Sequence, residues 1–241
     1  MTLYQLSLES GPQHRKTMVH VLDLPGCIAC GPTTEAALGQ TPRAIWDYLC
    51  FLQRHGEELP AQVQMQADIT TRVAEHITEG RWPGNGDPTI LFAPDKEPLT
   101  RQDLETCLRR LAWSRAELVA LVRDLSEECM QARPPRGRPI RGILEHIFSA
   151  EYSYVRRCGK LADVRGPGLH VRRAKEELLA WMAFVRASEI SRLRTLGDRL
   201  PQEEAEGSNA ACNVRRMLRR LLEHEWEHLV ELRERLQARP D

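Results

Sequence analysis

The stretch Leu218 to Leu232, LRRLLEHEWEHLVEL, places His224 and His228 four residues apart in a segment whose apolar positions, Val214, Met217, Leu221 and Leu232, recur at helical spacing. Both imidazoles therefore share the buried stripe of a helix expected over about Asn213 to Gln237. A lone histidine on such a stripe is ordinarily a hydrogen-bonded core residue. A stacked pair raises the desolvation cost, on the order of 1–3 kcal/mol for each imidazole left without a partner, and a bound metal removes it. The neighbouring Glu223, Glu227, Glu231, Arg219 and Arg220 read as a solvated helix face. The cluster Arg215, Arg216, Arg219 and Arg220 reads the same way, because glutamates lie nearby and no aromatic residues interleave as a nucleic-acid groove would need.

Three more helical patterns precede this one. The first starts at Thr100, with Asp103 near the reciprocal position of a capping box, and carries Leu104, Leu108, Leu111, Leu118, Val122 and Leu125 on one face. The second, about Ile140 to Arg157, carries Ile143, Ile147, Ala150 and Tyr154 together with His146. The third covers about His170 to Leu196. Four amphipathic helices with nothing strand-like among them pack most economically as a four-helix bundle.

His146 on a facing helix adds a third imidazole to His224 and His228. Such a set occupies three corners of a tetrahedron or a facial triad and leaves positions open for water or substrate. Neutral imidazole suits zinc, nickel, iron or copper alike. Glu151 lies five residues after His146, about 140° round the helix, so it is expected to support the site or move a proton there, or else to stand exposed at the rim. Arg133, Arg136, Arg138 and Arg141, around the stiff Pro134-Pro135 and Pro139 loop, either receive the carboxylates of an anionic thiol or substrate or are simply solvated.

Residues 1 to about 30 alternate like strands. Leu3 to Leu8 and Met18 to Leu22 read as a hairpin broken at Gly11-Pro12, and Cys27 to Cys30 as a short third strand. A threonine-capped helix follows, with Ala36, Ala37, Ile45, Tyr48, Leu49 and Leu52 at near-helical spacing, ending at His55-Gly56. Pro42 must kink that helix or restart it with Thr41 as cap. Val63 to Gln66 alternates and is expected to be a fourth strand; residues 69 to 79 suit a short helix or more sheet equally. Cys27 and Cys30 have redox-motif spacing but fall in a strand, away from any helix N-terminus that would stabilise a thiolate, so no redox role is expected.

The expected fold is thus α+β, with an α+β domain over 1–80, a Pro/Gly-rich linker over 81–98 and the helical bundle over 99–239. The 241 residues are 41% hydrophobic and 28% charged, which is globular, and 34 basic side chains balance 34 acidic ones, so no overall field draws the chain to nucleic acid. Seven scattered cysteines suit reduced thiols, and the longest apolar run, Leu178 to Val185, is far too short for a bilayer. A cytoplasmic protein is expected.

Two resemblances extend these readings. Asp23-Leu24-Pro25-Gly26-Cys27, then Gly31-Pro32-Thr33-Thr34-Glu35-Ala36-Ala37-Leu38, then a helix closed by Gly56-Glu57-Glu58-Leu59-Pro60, resembles the N-terminal domain of HicB-type antitoxins over roughly the first 65 residues. The resemblance implies a β-β-β-α-β fold that in its family masks a partner toxin beside a DNA-binding module. No such module follows here, which points to scaffolding, pocket covering or self-association as a homodimer. Residues from about 98 to 237 resemble the DinB-like superfamily through four long helices, Leu144-Glu145-His146-Ile147 with Ala150-Glu151, and His224-Glu225-Trp226-Glu227-His228. That resemblance implies a divalent metal, commonly zinc or nickel, on the three histidines, and a long crossover at Cys158 to Leu169. It also implies a metal-dependent hydrolase or a transferase using a low-molecular-weight thiol on a small-molecule substrate. The competing expectation is a non-catalytic binding module.

Overall fold

Apolar residues at alternate positions of the first ten make a strand whose even-numbered side chains, Tyr4, Leu6 and Leu8, are buried. In the computed structural model, which describes residues 1–11, 16–78, 83, 90–156, 174–197 and 213–238, the chain is α+β and divides into two units, Met1–Glu97 and Pro98–Asp241.

The first unit holds β1 (Thr2–Ser10), β2 (Thr17–His20), β3 (Ile28–Gly31), α1 (Thr34–Arg54) and β4 (Ile69–Ile77). The sheet order is β3-β2-β1-β4. β1 pairs antiparallel with β2, setting Leu8 opposite Val19, and β2 pairs antiparallel with β3, setting Val19 opposite Ala29. β4 lies parallel to β1, a pairing for which the intervening helix supplies the crossover. α1 packs on one sheet face, where a Cβ at Gly31 would come 2.5 Å from the Ala37 nitrogen. On the other face the His20 and Phe92 rings meet at 5.1 Å. Ile90 and Phe92, inside the proline-rich stretch 81–98, are buried and fall within the first unit.

Two local expectations change. α1 runs unbroken through Pro42, and the Thr41 hydroxyl bonds the Ala37 carbonyl at 2.8 Å. Val63 to Gln66 is not a strand, because the Asp68 carboxylate accepts from the Gln64 and Met65 amides at 2.9 and 3.1 Å and curls the chain into a turn. The fourth strand starts after that turn, at Ile69. The helix end is as expected, with Gly56 at φ 86° just beyond His55.

The second unit contains α2 (Arg101–Arg123), α3 (Glu127–Gln131), α4 (Ile140–Arg156), α5 (Lys175–Leu196) and α6 (Val214–Gln237). Thr100 and Asp103 form the capping box that opens α2. The short α3, capped by Ser126, is an addition to the four patterned helices. α2 packs against α5 and α6, and α4 against α6. Leu104, Leu108 and Leu111 of α2, Val155 of α4, Leu193 of α5, and Met217, Leu218, Leu221 and Leu222 of α6 meet in one core. Residue 170, where the third helix was expected to begin, and the expected crossover at 158–169 lie outside the described residues. Cys27 and Cys30 are free thiols, Cys27 fully buried. Among the described residues no helix is long and apolar enough to cross a membrane.

Candidate metal centre

α6 begins at Asn213, whose side chain accepts from the Arg216 amide at 2.8 Å. Its Met217, Leu221 and Leu222 dock into the core and fix the phase of the helix. That phase turns His224 and His228, 7% and 9% exposed, toward α4. On α4, buried Ile143 and Ile147 flank the half-buried His146 and aim it back. The three rings form a near-equilateral triangle, with centroids 4.9 Å (His146–His224), 5.2 Å (His146–His228) and 4.7 Å (His224–His228) apart.

One donor nitrogen from each histidine lies within 4.8 Å of the other two. His146 Nε2 and His224 Nε2 are 3.1 Å apart. Two imidazole nitrogens about 2.05 Å from one cation would be separated by about 3.3 Å in a tetrahedron and about 2.9 Å in an octahedron. The observed spacing falls between these values. Three nitrogen donors with no protein oxygen or sulfur among them suit a divalent transition-metal ion.

The surroundings favour a neutral His146 and an oriented His228. Burial holds His146 below the usual imidazole range; Arg138 and His228 add to this, while Glu227 and Glu231 oppose it. His228 Nδ1 donates to Glu231 at 2.8 Å, which fixes the ring and leaves Nε2 as its ligand atom. That hydrogen bond also holds the Glu231 carboxyl below the ordinary carboxylate range, against its own burial. Arg235 pairs with Glu231 and donates to the Arg138 carbonyl at 2.6 Å. At Gly137, φ is 83° and a Cβ would come 2.5 Å from Arg235 Nη2. The proline-rich loop is thereby tied to the histidines through Gly137, Arg235 and Glu231.

Several charged residues stand elsewhere than expected. Glu223, Arg216, Arg219 and Arg220 are buried, not solvated, and Glu225 is buried with them. Their helix is enclosed on more sides than its apolar stripe alone would require. Glu225, beside His224 in sequence, points to a different neighbour: its oxygens accept from Arg115 Nε at 2.7 Å and Arg186 Nη2 at 2.5 Å. Glu151 is buried too, accepting from Arg115 Nη2 and Arg186 Nε, both at 2.7 Å. The two guanidiniums also cap the Met182 and Leu111 carbonyls. This ring of two arginines and two carboxylates ties α2, α4, α5 and α6 together. The two arginines hold Glu151 down at about 2 in spite of complete burial. Glu189, facing Glu151, is pushed well above the carboxylate range, by burial first and by Glu151 second.

Of the loop arginines, Arg133, Arg136 and Arg138 are exposed, whereas Arg141 is buried and pairs with Glu127 at 2.9 Å and Glu145 at 3.1 Å. Sequence reasoning placed Glu231 on a solvated face; the signal of its role was the i, i+3 spacing from His228. It counted Tyr154 only as an apolar-face residue, yet that ring meets His224 at 5.9 Å. A family model described as the DinB superfamily matches residues 110–232, a span that includes all three histidines and the buried ring. No curated protein and no solved structure matches the chain.

Proposed function

The chain belongs to the DinB superfamily, and from that premise we propose that it binds a divalent metal, zinc or nickel, through His146, His224 and His228. The observation that carries this reading is the convergence of three imidazoles within 4.8 Å, with two Nε2 atoms 3.1 Å apart. Such an ion, when bound, lowers the pKa of a coordinated water or thiol and supplies a hydroxide or thiolate near neutral pH. The chain's own residues set the stage for it. His146 is kept neutral by burial, Glu231 orients His228, and three protein ligands leave coordination positions for small molecules. The reading therefore extends to a metal-dependent hydrolase or a transferase using a low-molecular-weight thiol, acting on a small molecule in the cytoplasm. Glu151 serves it as a positioning residue, anchoring α4 through Arg115 and Arg186. Arg138 serves through its carbonyl contact with Arg235.

For the first unit, the β-β-β-α-β order supports a HicB-like role in protein association, either with a partner or with a second copy of the chain. Elemental analysis of tag-free protein tests the central claim. About one zinc or nickel per chain is expected in the wild type and none in His228→Ala. Wild type that takes up neither ion from buffer containing both, with an unchanged melting temperature, overturns it.

A further inference from the structure

The faces of α4 and α6 that carry the histidines continue past them. Arg220 stands one helical turn before His224, and Tyr154 lies eight residues, or two turns, beyond His146. The Tyr154 ring contacts His224, and the Arg220 guanidinium carbon lies 5.9 Å from the centroid of that same ring. Arg220 is only 3% exposed. Its Nη1 donates to Glu223 at 2.8 Å, on an oxygen that Arg219 also reaches at 3.3 Å. Among the described residues the Arg220 Nε is buried without a hydrogen-bond partner. A buried donor left unmade is costly, and more so on a charged group, so an orphan on a guanidinium beside the histidine cluster calls for an acceptor. Arginine cannot shed the charge, and Tyr154 and Glu223 hold it protonated against the cost of burial.

We propose that Arg220 Nε–H and the Tyr154 hydroxyl form a subsite for the carboxylate of a small molecule whose other end reaches the histidine cluster. A planar carboxylate offers two oxygens to two donors. A phosphate or sulfate would need more donors than these two groups provide. The ligand class is thus a carboxylic acid with a second donor atom to bring to the histidines. This rests on the metal reading only for what the second donor meets.

Oxalate, which has a carboxylate at each end, is the probe. Metal content is measured first for wild type, Arg220→Gln and Arg220→Lys, and oxalate is then titrated calorimetrically into each loaded protein, with inorganic phosphate in parallel. Arg220→Gln is expected to keep its metal and lose at least tenfold in oxalate affinity. Arg220→Lys, which keeps the charge without the Nε–H, recovers only part of that loss and serves as the test should the glutamine variant fail to fold. Equal oxalate affinity in wild type and either folded variant overturns the subsite, as does phosphate binding more tightly than oxalate. If the wild type holds no metal, the metal reading fails by itself. The titration is then made on metal-free protein, where Arg220-dependent oxalate binding sustains the subsite and its absence overturns it.

Discussion

Two polar clusters lie within the second unit, and consecutive residues of α6 belong to each. His224 joins the histidine triangle, while Glu225 joins the ring of Arg115, Glu151 and Arg186. In the ring, each carboxylate oxygen meets a guanidinium nitrogen, and spare guanidinium donors reach backbone carbonyls at 2.6 and 2.9 Å. In the triangle, nitrogens face nitrogens, and one pair stands 3.1 Å apart with at most one proton to share. The first cluster is complete in itself; the second is the one proposed to take up a metal. Burial alone therefore does not distinguish a structural polar cluster from a binding site. What distinguishes them is whether donors and acceptors balance within the protein.

The contrast can be broken most forcefully at the ring. Glu225→Ala leaves two buried guanidiniums short of a partner and is expected to destabilise the second unit by about 3–5 kcal/mol, measured by urea unfolding followed by circular dichroism. A loss below about 1 kcal/mol would show that the ring is not closed in the sense argued here. His228→Ala should do the opposite: the metal-free stability stays near that of the wild type, but stabilisation by added zinc or nickel, about 2.7 kcal/mol at a hundred times the dissociation constant, disappears. A zinc-dependent rise in melting temperature that survives this change would remove His228 from the ligand set. Glu231→Gln tests the support of the triangle, and a 10- to 100-fold weaker metal affinity is expected in a chelator competition. Unchanged affinity would reduce Glu231 to a bystander.

The smallest effect concerns protons. Glu189 has a raised folded-state pKa, so stability is present while the group is neutral and is lost as pH rises through that value. Glu151 is held at about 2, so its contribution is present above the ordinary carboxylate range and is lost as pH falls toward 2. Glu189→Gln should therefore match wild type in mildly acidic solution and exceed it as pH rises, with thermal melts across pH as the check. Parallel curves for the two proteins would mean that Glu189 carries no extra proton.

Periodicity and caps made much of this molecule readable. Asn213 and Thr100 stand where the helical patterns begin, and the i, i+4 pair His224 and His228 shares one stripe because 3.6 residues make a turn. His146 could be joined to them because it, too, lies on an otherwise apolar face. The ring could not be read, because Arg115 and Glu225 are 110 positions apart and a buried salt bridge leaves each partner looking like a surface residue in its own helix. β4 falls in the stretch 69 to 79 that was open between helix and sheet, and the strand expected at Val63 to Gln66 fails for a local reason: Asp68 hydrogen-bonds two amides behind it and curls the chain into a turn.

The division of labour between His224 and Glu225 has a consequence for how this segment tolerates change in length. Deleting or inserting one residue between Asn213 and His224 turns every later side chain by about 100°. An insertion would swing Glu223 toward the imidazole of α4 and His224 toward the two arginines; a deletion would put Glu225 and Trp226 in those places. A single substitution in α6 disturbs one cluster and leaves the other, but the reading frame along the helix axis is fixed at two places at once. Length variation among relatives that keep both clusters is thus expected in the connections, never within this helix.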